Sequence, residues 1–373
     1  MKKRSNRKIL CVSLALSFVV ASADFLYVGA EEYPVYSQYL SGLDSRETPG
    51  SEADYTIVSV STQEDLVRLA QDCQLDSWSR DKYILLENDI VLAENSEIVI
   101  PSFGGIFEGN GHSISNLQIT ANGSALGLFR YIQSGAVVRN LSVSGNVQPG
   151  GEGNHAGLLA GVNYGQILDC SVSGNVTGVE GVGGIAGVNE ISGEIRRCRS
   201  FAVVTGERCS GGICGVNRGV LNDCTNAGNI NAYSRDVTYS LEDITIDNLE
   251  DPDSVENMAV HTDTGGIAGY SQGKIYYCSN SGTVGYQHVG YNTGGIVGRL
   301  HQGYLQNCTN TGNVLGRKDV GGIAGQMEPF LEIQYMDDKL SEIGRETDTF
   351  LNLLEKAGDD LQSSGQEIFD LTG

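Results

Sequence analysis

The chain has 373 residues, including 50 glycines and six prolines, and its formal net charge is −22. This length permits one large domain or two ordinary domains, each with a hydrophobic core. The acidic balance repels DNA and RNA, so nucleic acids are not expected partners. Glycine is well above its usual share of about 7%, and it follows no collagen-like period of three.

The amino terminus has the features of an export signal. The basic run KKRSNRK precedes the apolar stretch ILCVSLALSFVVA, and the small residues Ala21 and Ala23 follow, as signal peptidase requires. We predict a signal peptide over residues 1–23, with an alternative cleavage after Ala30, and a flexible linker over 24–55. No other stretch has the roughly 20 apolar residues of a spanning helix. We therefore expect a secreted or cell-surface protein without a transmembrane helix in its mature form.

The segment STQEDLVRLAQDC (61–73) predicts a short helix that covers one end of the core. A capping box from Ser61 to Glu64 begins it. The strand YILLENDIVL and the segment GGIFEGNGHSISNLQI follow. His112 lies in the latter, but Asn-Gly is a turn signal and no second titratable group lies close in sequence, so we interpret His112 as a turn residue.

Six copies of a glycine motif, of the type GGIAG, follow between residues 156 and 325. The second glycines of the copies are Gly157, Gly184, Gly212, Gly266, Gly295 and Gly322. They are spaced by 27, 28, 54, 29 and 27 residues, and the spacing of 54 equals one repeat plus an insertion. A fixed period of this size is typical of a solenoid.

Each copy contains three short apolar-alternating segments bounded by glycine or asparagine, such as GGIAG, KIYYC and GTVGY. This pattern predicts short strands between turns rather than helices. A unit of about 27 residues cannot bury one face alone, but it can when stacked on its neighbours about 4.8 Å away. The sequence therefore predicts an all-β fold, a parallel β-helix with three strands per coil, over residues 56–329.

A cysteine recurs once in each of five coils: Cys170, Cys198, Cys224, Cys278 and Cys308. Each alternates inward with a preceding isoleucine or leucine, so identical positions should stack in the interior as small buried hydrophobes. Stacked positions on parallel strands rarely meet disulfide geometry, and we expect free thiols. Cys214 also occupies an inward place, whereas Cys73 and Cys209 receive no role.

The paired glycines are expected at tight corners, since no helix follows them that could bind phosphate. Asn226, Asn280 and Asn310, each two places after a cysteine, predict a stacked turn ladder. Asp169, Arg197 and Asp223 immediately precede three of the cysteines and predict a small charged ladder on the surface. We predict no catalytic residue, no metal ligand and no cofactor.

Two acidic segments accompany the repeats. The insertion 231–263 holds nine acids and one arginine without a calcium-loop spacing, and it is interpreted as a solvated loop, with a recognition loop as the alternative. Residues 330–373 have eleven acids, three bases and a heptad pattern from Leu340 to Leu371. They predict a coiled-coil-like helix for self-association. The pattern has no clear terminator, so a truncated chain is a further hypothesis.

The repeat GGIAGYSQGKIYYCSNSGTVG (265–285) resembles the GLUG motif repeats of bacterial surface and secreted proteins. The upstream segments YTIVSVSTQEDLVRLA and FEGNGHSISNL resemble the start of the same proteins, and also the non-catalytic amino-terminal region of immunoglobulin A-cleaving metallopeptidases. The resemblance covers roughly residues 55–327. It implies a right-handed β-helix displayed outside a bacterial cell. The zinc motif of those peptidases is absent, so their activity does not carry over.

Three functions remain open at this point. The first is a non-enzymatic stalk or adhesin-like module that binds an unidentified host or cell-wall protein or glycan. The second is a carbohydrate-active enzyme, a polysaccharide lyase or hydrolase, for which the Asp169, Arg197 and Asp223 ladder supplies the candidate residues. The third is the amino-terminal fragment of a larger secreted protein whose activity lies downstream.

Overall fold

The computed structural model describes residues 55–94, 96–151, 153–232 and 261–328, with helical residues at 345, 347, 349–353 and 356. The described strands form four sheets in which neighbours pair in parallel, giving a β-solenoid of about nine turns. The predicted parallel β-helix is confirmed. The proposed signal peptide and linker lie outside the described residues.

The strand bounds are as follows for the part of the chain that is described. Sheet 1 contains Thr56–Val60, Lys82–Leu86, Ile106–Glu108, Val137–Arg139, Gln166–Leu168, Glu194–Arg196, Val220–Asn222, Lys274–Tyr276 and Tyr304–Gln306. Sheet 2 contains Ile100–Phe103, Phe129–Ile132, Ala160–Asn163, Ala186–Asn189, Cys214–Asn217, Ala268–Ser271, Val297–His301 and Ala324–Glu328.

Sheet 3 contains Ile90–Val91, Ser113–Ile119, Ser142–Val147, Ser171–Thr177, Arg199–Ser200, Val203–Thr205, Thr225–Asn226, Ser279–Asn280 and Thr309–Asn310. Sheet 4 contains Glu180–Gly183, Arg208–Gly211, Thr262–Gly265, Tyr291–Gly294 and Lys318–Gly321. Along the repeats the chain visits sheets 2, 1, 3 and 4 in turn. The three predicted strands per coil are thus joined by a fourth, which the residues before each glycine pair form.

Helix α1 spans Gln63–Asp72 and packs at the amino-terminal end of the core, with Leu66 and Leu69 buried. Its capping box lies one residue later than predicted. Asp65 donates its backbone N–H to the Thr62 hydroxyl at 3.3 Å, and its carboxylate accepts the N–H of Thr62 at 3.1 Å. Ser61 does not cap in the predicted way because its hydroxyl donates to Glu87 in the neighbouring strand region, at 2.7 Å.

The motif GGIAG is a corner rather than a single strand. Its first glycine ends a strand of sheet 4, its second glycine and isoleucine turn, and its last two residues begin a strand of sheet 2. The isoleucines point into the core: Ile185, Ile213, Ile267 and Ile296 are all fully buried. Sheets 2 and 4 therefore leave the same corner and lie against each other.

Close backbone approach explains the last glycine of the motif. At Gly269 a Cβ atom would lie 2.4 Å from the Cys209 carbonyl carbon, 2.4 Å from the Ser210 nitrogen and 2.6 Å from the Asp263 oxygen, all of them backbone atoms of sheet 4. Real Cβ atoms do not approach backbone so closely. Glycine at this position is what lets sheet 4 rest directly on sheet 2.

The acidic insertion interrupts no sheet. Ile230 before it bridges to Val204 and Val284, and Thr262, within its predicted end, already pairs with Arg208 in sheet 4. Residues 233–260 lie outside the described part, as does most of the predicted carboxy-terminal helix, of which the few described positions are helical. Within the described residues no helix has the length and apolar character needed to cross a membrane.

The second glycine of the motif gives a direct test of coil stacking. At Gly295 a Cβ would lie 2.1 Å from the Gly322 carbonyl oxygen of the next coil, so Gly295→Ala forces two coils apart. We expect a loss of about 1–3 kcal/mol in the free energy of unfolding, the usual range for overpacking. The midpoint of urea unfolding, followed by circular dichroism, measures it.

Gly322→Ala is the matched control, because Gly322 has the same motif position but a Cβ there meets no atom of the described residues within 4 Å. This substitution should change stability by no more than about 0.5 kcal/mol. Equal destabilisation by the two variants would contradict the described stacking of Gly295 on Gly322.

Candidate functional site

The recurring cysteines lie inside the solenoid. Cys198, Cys224 and Cys278 are fully buried, Cys170 is nearly so, and Cys308 in the last described coil is half-buried. Their sulfur atoms lie near backbone carbonyls two residues earlier, as for Cys198 and the Arg196 oxygen at 3.2 Å. All eight described cysteines are free thiols. The ladder is a set of interior packing groups.

Burial makes some of the interior thiols poor nucleophiles. It raises the pKa of the Cys198 and Cys278 thiols well above the ordinary value, and it raises that of Cys214 as well. The two cysteines without a predicted role behave alike. Burial raises the pKa of Cys73 to about 12 and that of Cys209 to about 12. A thiolate is the reactive form, so these groups stay unreactive near neutral pH.

Asparagine side chains form a buried ladder at the turn that follows the cysteines. The Asn226 amide donates to the Asn280 carbonyl oxygen at 2.8 Å, and Asn280 donates to Asn310 at 2.8 Å. Each also binds the backbone of the glycine two residues later, as Asn226 does with Gly228. The turn ladder expected from the sequence is present in this geometry. The motif's second glycines leave room for it, because a Cβ at Gly212 would strike Asn226 at 2.3 Å.

A second buried amide ladder was not anticipated. Asn163 donates to Asn189 at 2.8 Å, Asn189 to Asn217 at 3.0 Å, and Asn217 to the Ser271 hydroxyl at 3.1 Å. All four side chains are fully buried at the end of sheet 2 strands. The signal was the repeated Val-Asn ending of AGVN, AGVN and CGVN. Both ladders connect one coil to the next.

The predicted charged ladder lies at the corner between sheets 1 and 3. Arg197 contacts Asp169 with two hydrogen bonds, at 2.7 and 2.6 Å. That guanidinium holds the pKa of Asp169 below its usual range. A carboxylate kept ionised in this way is poorly suited to serve as a general acid, which needs a raised pKa. Asp223 lies near enough to interact electrostatically with Arg197.

This corner imposes a left-handed backbone. Asp169, Arg197 and Asp223 have φ of 55°, 52° and 53°, and Tyr277 and Asn307 continue the column at 52° and 54°. Side chains here are therefore selected partly for tolerance of positive φ, which asparagine and aspartate accept best. Asp169 and Asp223, two of the three residues of the charged ladder, are of the type that this corner favours.

His112 follows a turn in which Asn110 and Gly111 have φ of 53° and 80°. Its ring lies 3.5 Å from the Asp89 carboxylate. No three His, Cys, Asp or Glu side chains of the described residues gather as metal ligands would.

A connected polar group of the described residues lies where sheets 2 and 4 meet. We call it the seam cluster: Asp263, Tyr270, Arg299, His301 and Glu328. The Asp263 side chain is only 7% exposed, and its carboxylate accepts hydrogen bonds from Arg299 at 2.9 Å and Asn292 at 2.7 Å.

The remaining members of the seam cluster enclose Arg299. Its guanidinium lies over the Tyr270 ring at 4.9 Å and reaches Glu328 at 3.8 Å. Glu328 in turn hydrogen-bonds His301, whose ring stacks on Tyr270 at 6.0 Å. Two carboxylates thus share one arginine. The network ties three coils together across the seam.

Sequence reasoning placed Asp263 in the solvated insertion, whereas the structure buries it. The missed signal is positional: Asp263, Asn292 and Asp319 each stand two residues before the first glycine of a motif. All three have positive φ, at 55°, 53° and 57°. Cys209 has the equivalent place in an earlier coil, with φ of 52° and its sulfur 3.9 Å from the Asp263 carboxylate.

Thiol accessibility tests the cysteine ladder. We expect iodoacetamide at pH 8 to modify the native protein slowly, because the interior shields the buried thiols from the reagent, and to modify half-buried Cys308 before Cys278. In 6 M guanidinium all eight described cysteines should react. Peptide mass spectrometry gives the order of labelling. Disulfide-linked peptides among ladder cysteines in the unreduced protein would refute the free-thiol arrangement.

The seam cluster is tested by Asp263→Ala. Removing this buried carboxylate leaves the partly exposed Arg299 and Asn292 without their acceptor, and we expect a loss of about 1–3 kcal/mol in unfolding free energy. Asp319→Ala is the control, since Asp319 has the same sheet position and positive φ but an exposed side chain. Chemical denaturation compares the two. If Asp263→Ala lost no more unfolding free energy than Asp319→Ala, the contacts of the Asp263 carboxylate would not stabilise the fold.

Comparison with known proteins finds a family match for one coil of the solenoid. The model of the GLUG motif matches residues 152–177, which include strands of sheets 2, 1 and 3. Halomucin of Haloquadratum walsbyi (strain DSM 16790 / HBSQ001) is 36% identical over 92 residues, which are 24% of this chain and 1% of that protein. No solved structure matches. The chain thus contains one match to the GLUG motif, and a similar sequence pattern recurs in its successive coils.

Proposed function

We propose that this chain is a non-enzymatic exported protein whose β-solenoid presents a binding surface. One observation carries the proposal: interior positions repeat while exterior positions vary. The inward isoleucine, cysteine and asparagine columns are nearly constant from coil to coil. The exposed column at the corner between sheets 1 and 3 instead changes through Asp169, Arg197, Asp223, Tyr277 and Asn307. Constant packing under a varied surface suits recognition.

Secretion or cell-surface display is part of the proposal. It is supported by the basic and apolar amino-terminal pattern and by the acidic composition. The partner is a protein or glycan of a host or of a cell wall. Self-association through residues 340–371 is proposed from the heptad pattern, and it would multiply the number of binding surfaces in one assembly.

A carbohydrate-active enzyme is the second candidate, because the Asp169–Arg197 pair and Asp223 lie on consecutive coils, as charged groups of a polysaccharide-cleaving site would. Against it stands the lowered pKa of Asp169, which its hydrogen bonds with Arg197 cause. We favour a surface ion pair, whose contribution to stability is about 0–1 kcal/mol.

The test is a binding screen of the mature protein, from residue 24, against immobilised glycans, extracellular-matrix proteins and purified bacterial cell walls. We expect saturable binding to at least one class, and binding that disappears when the protein is unfolded in urea. Absence of binding to all three would contradict the binding role. Release of unsaturated or reducing sugar ends from an acidic polysaccharide, lost in Asp223→Asn, would favour the enzyme instead.

A further inference from the structure

We propose that the outer face of sheet 3 binds an uncharged saccharide chain. The proposed site consists of Asn146, Asn175, Thr177, Phe201 and Thr205, which we call the amide face. This inference rests on the proposed binding function and names both the ligand class and its place. It comes from a cavity, an amide row and an exposed aromatic ring on one surface.

The amide row runs across three coils. Asn175 donates its side-chain amide to the Asn146 oxygen at 2.7 Å, and Asn146 donates to Gln118 at 3.3 Å. The row stops at the next coil, where Val203 pairs with Asn175 in the strand register and offers no donor. The row differs from the two buried ladders because Asn175 is exposed. Its carbonyl oxygen is thus left facing solvent at the point where the row ends.

A shallow cavity of about 270 Å³ opens at this point. It is lined by Asn146, Val147, Gln148, Asn175, Thr177, Val203 and Thr205. These side chains are amides, hydroxyls and valines, and none carries a charge. Enclosed small-molecule sites are roughly 300–1,000 Å³, so this smaller open cavity suits one unit of an extended chain rather than a whole compact ligand.

Phe201 supplies an exposed apolar side chain two residues before Val203, which lines the cavity. It is 54% exposed, whereas the next residue, Ala202, is fully buried. Alternation along an extended chain therefore places Phe201 and Val203 on the same outer side. The exposed ring presents a negative π face, which attracts the weakly positive C–H groups on the flat side of a pyranose. Amides and hydroxyls nearby can exchange hydrogen bonds with sugar hydroxyls.

The charges of the cavity lining and of the whole chain indicate which class of ligand this site can bind. The lining has no cation to pair with a carboxylate, sulfate or phosphate, and the chain's net charge of −22 repels anionic polymers. It has no carboxylate to hold a cationic ligand either. An uncharged polyhydroxylated chain satisfies the amides without burying an unpaired charge.

The test uses isothermal titration calorimetry on the mature protein. The probes are the hexasaccharides of glucose, mannose, galactose and N-acetylglucosamine, with hexagalacturonate as the charged comparison. We expect at least one neutral hexasaccharide to bind and hexagalacturonate not to bind. Phe201→Ala and Asn175→Ala should each weaken that binding at least tenfold.

Two matched control variants distinguish a local effect on the proposed binding site from a general effect on folding. Asn313→Ala changes the asparagine at the same repeat position in a distant coil, and Ile191→Ala removes an 80% exposed side chain outside the cavity lining. Both should leave affinity unchanged. Saccharide binding that survives Phe201→Ala and Asn175→Ala, or binding of hexagalacturonate alone, would overturn this inference but not the binding role. Binding to matrix proteins without binding to any saccharide would also overturn this inference while leaving the binding role in place.

Discussion

Direct backbone contact at the glycine motif is the constraint on which the rest of this structure depends. The last glycine of GGIAG lets a strand of sheet 2 touch the backbone of sheet 4, as at Gly269, where a Cβ would fall 2.4 Å from two backbone atoms. The second glycine lets one corner rest on the next, as at Gly295. No other residue lacks the Cβ that would separate these backbones. The high glycine content is therefore a packing requirement.

That contact fixes what the side chains around it can do. With corners superposed, the asparagines near the second glycine come into line and bind one another at 2.8 Å along the stack. Isoleucine and cysteine columns fill the interior between the sheets. Each coil thus satisfies its own polar groups through its neighbours, which is the energetic logic of a repeat protein. The outward residues are left free to vary.

The repeat made the parallel solenoid predictable, because period, alternation and turn residues all favoured it. The inward direction of the cysteines followed from alternation alone. The fourth sheet could not be inferred, since its strands include residues at positive φ, such as Asp263 and Asn292, that break the usual alternation. The seam cluster could not be predicted either, because in the sequence Asp263 is the last residue of the predicted acidic loop. The amide face depends on a register between three coils that no single repeat reveals.

The most direct test of the account is a distance between equivalent positions of separate coils. Asn140 and Asn307 occupy the same left-handed corner five coil steps apart, with φ of 54° at both. Spin labels on encoded ketone amino acids at these positions avoid the native thiols, and double electron–electron resonance then measures their separation. Five steps of about 4.8 Å give roughly 24 Å between the two corners. A narrow distribution near that value is expected, and one centred beyond about 40 Å would contradict parallel coil stacking.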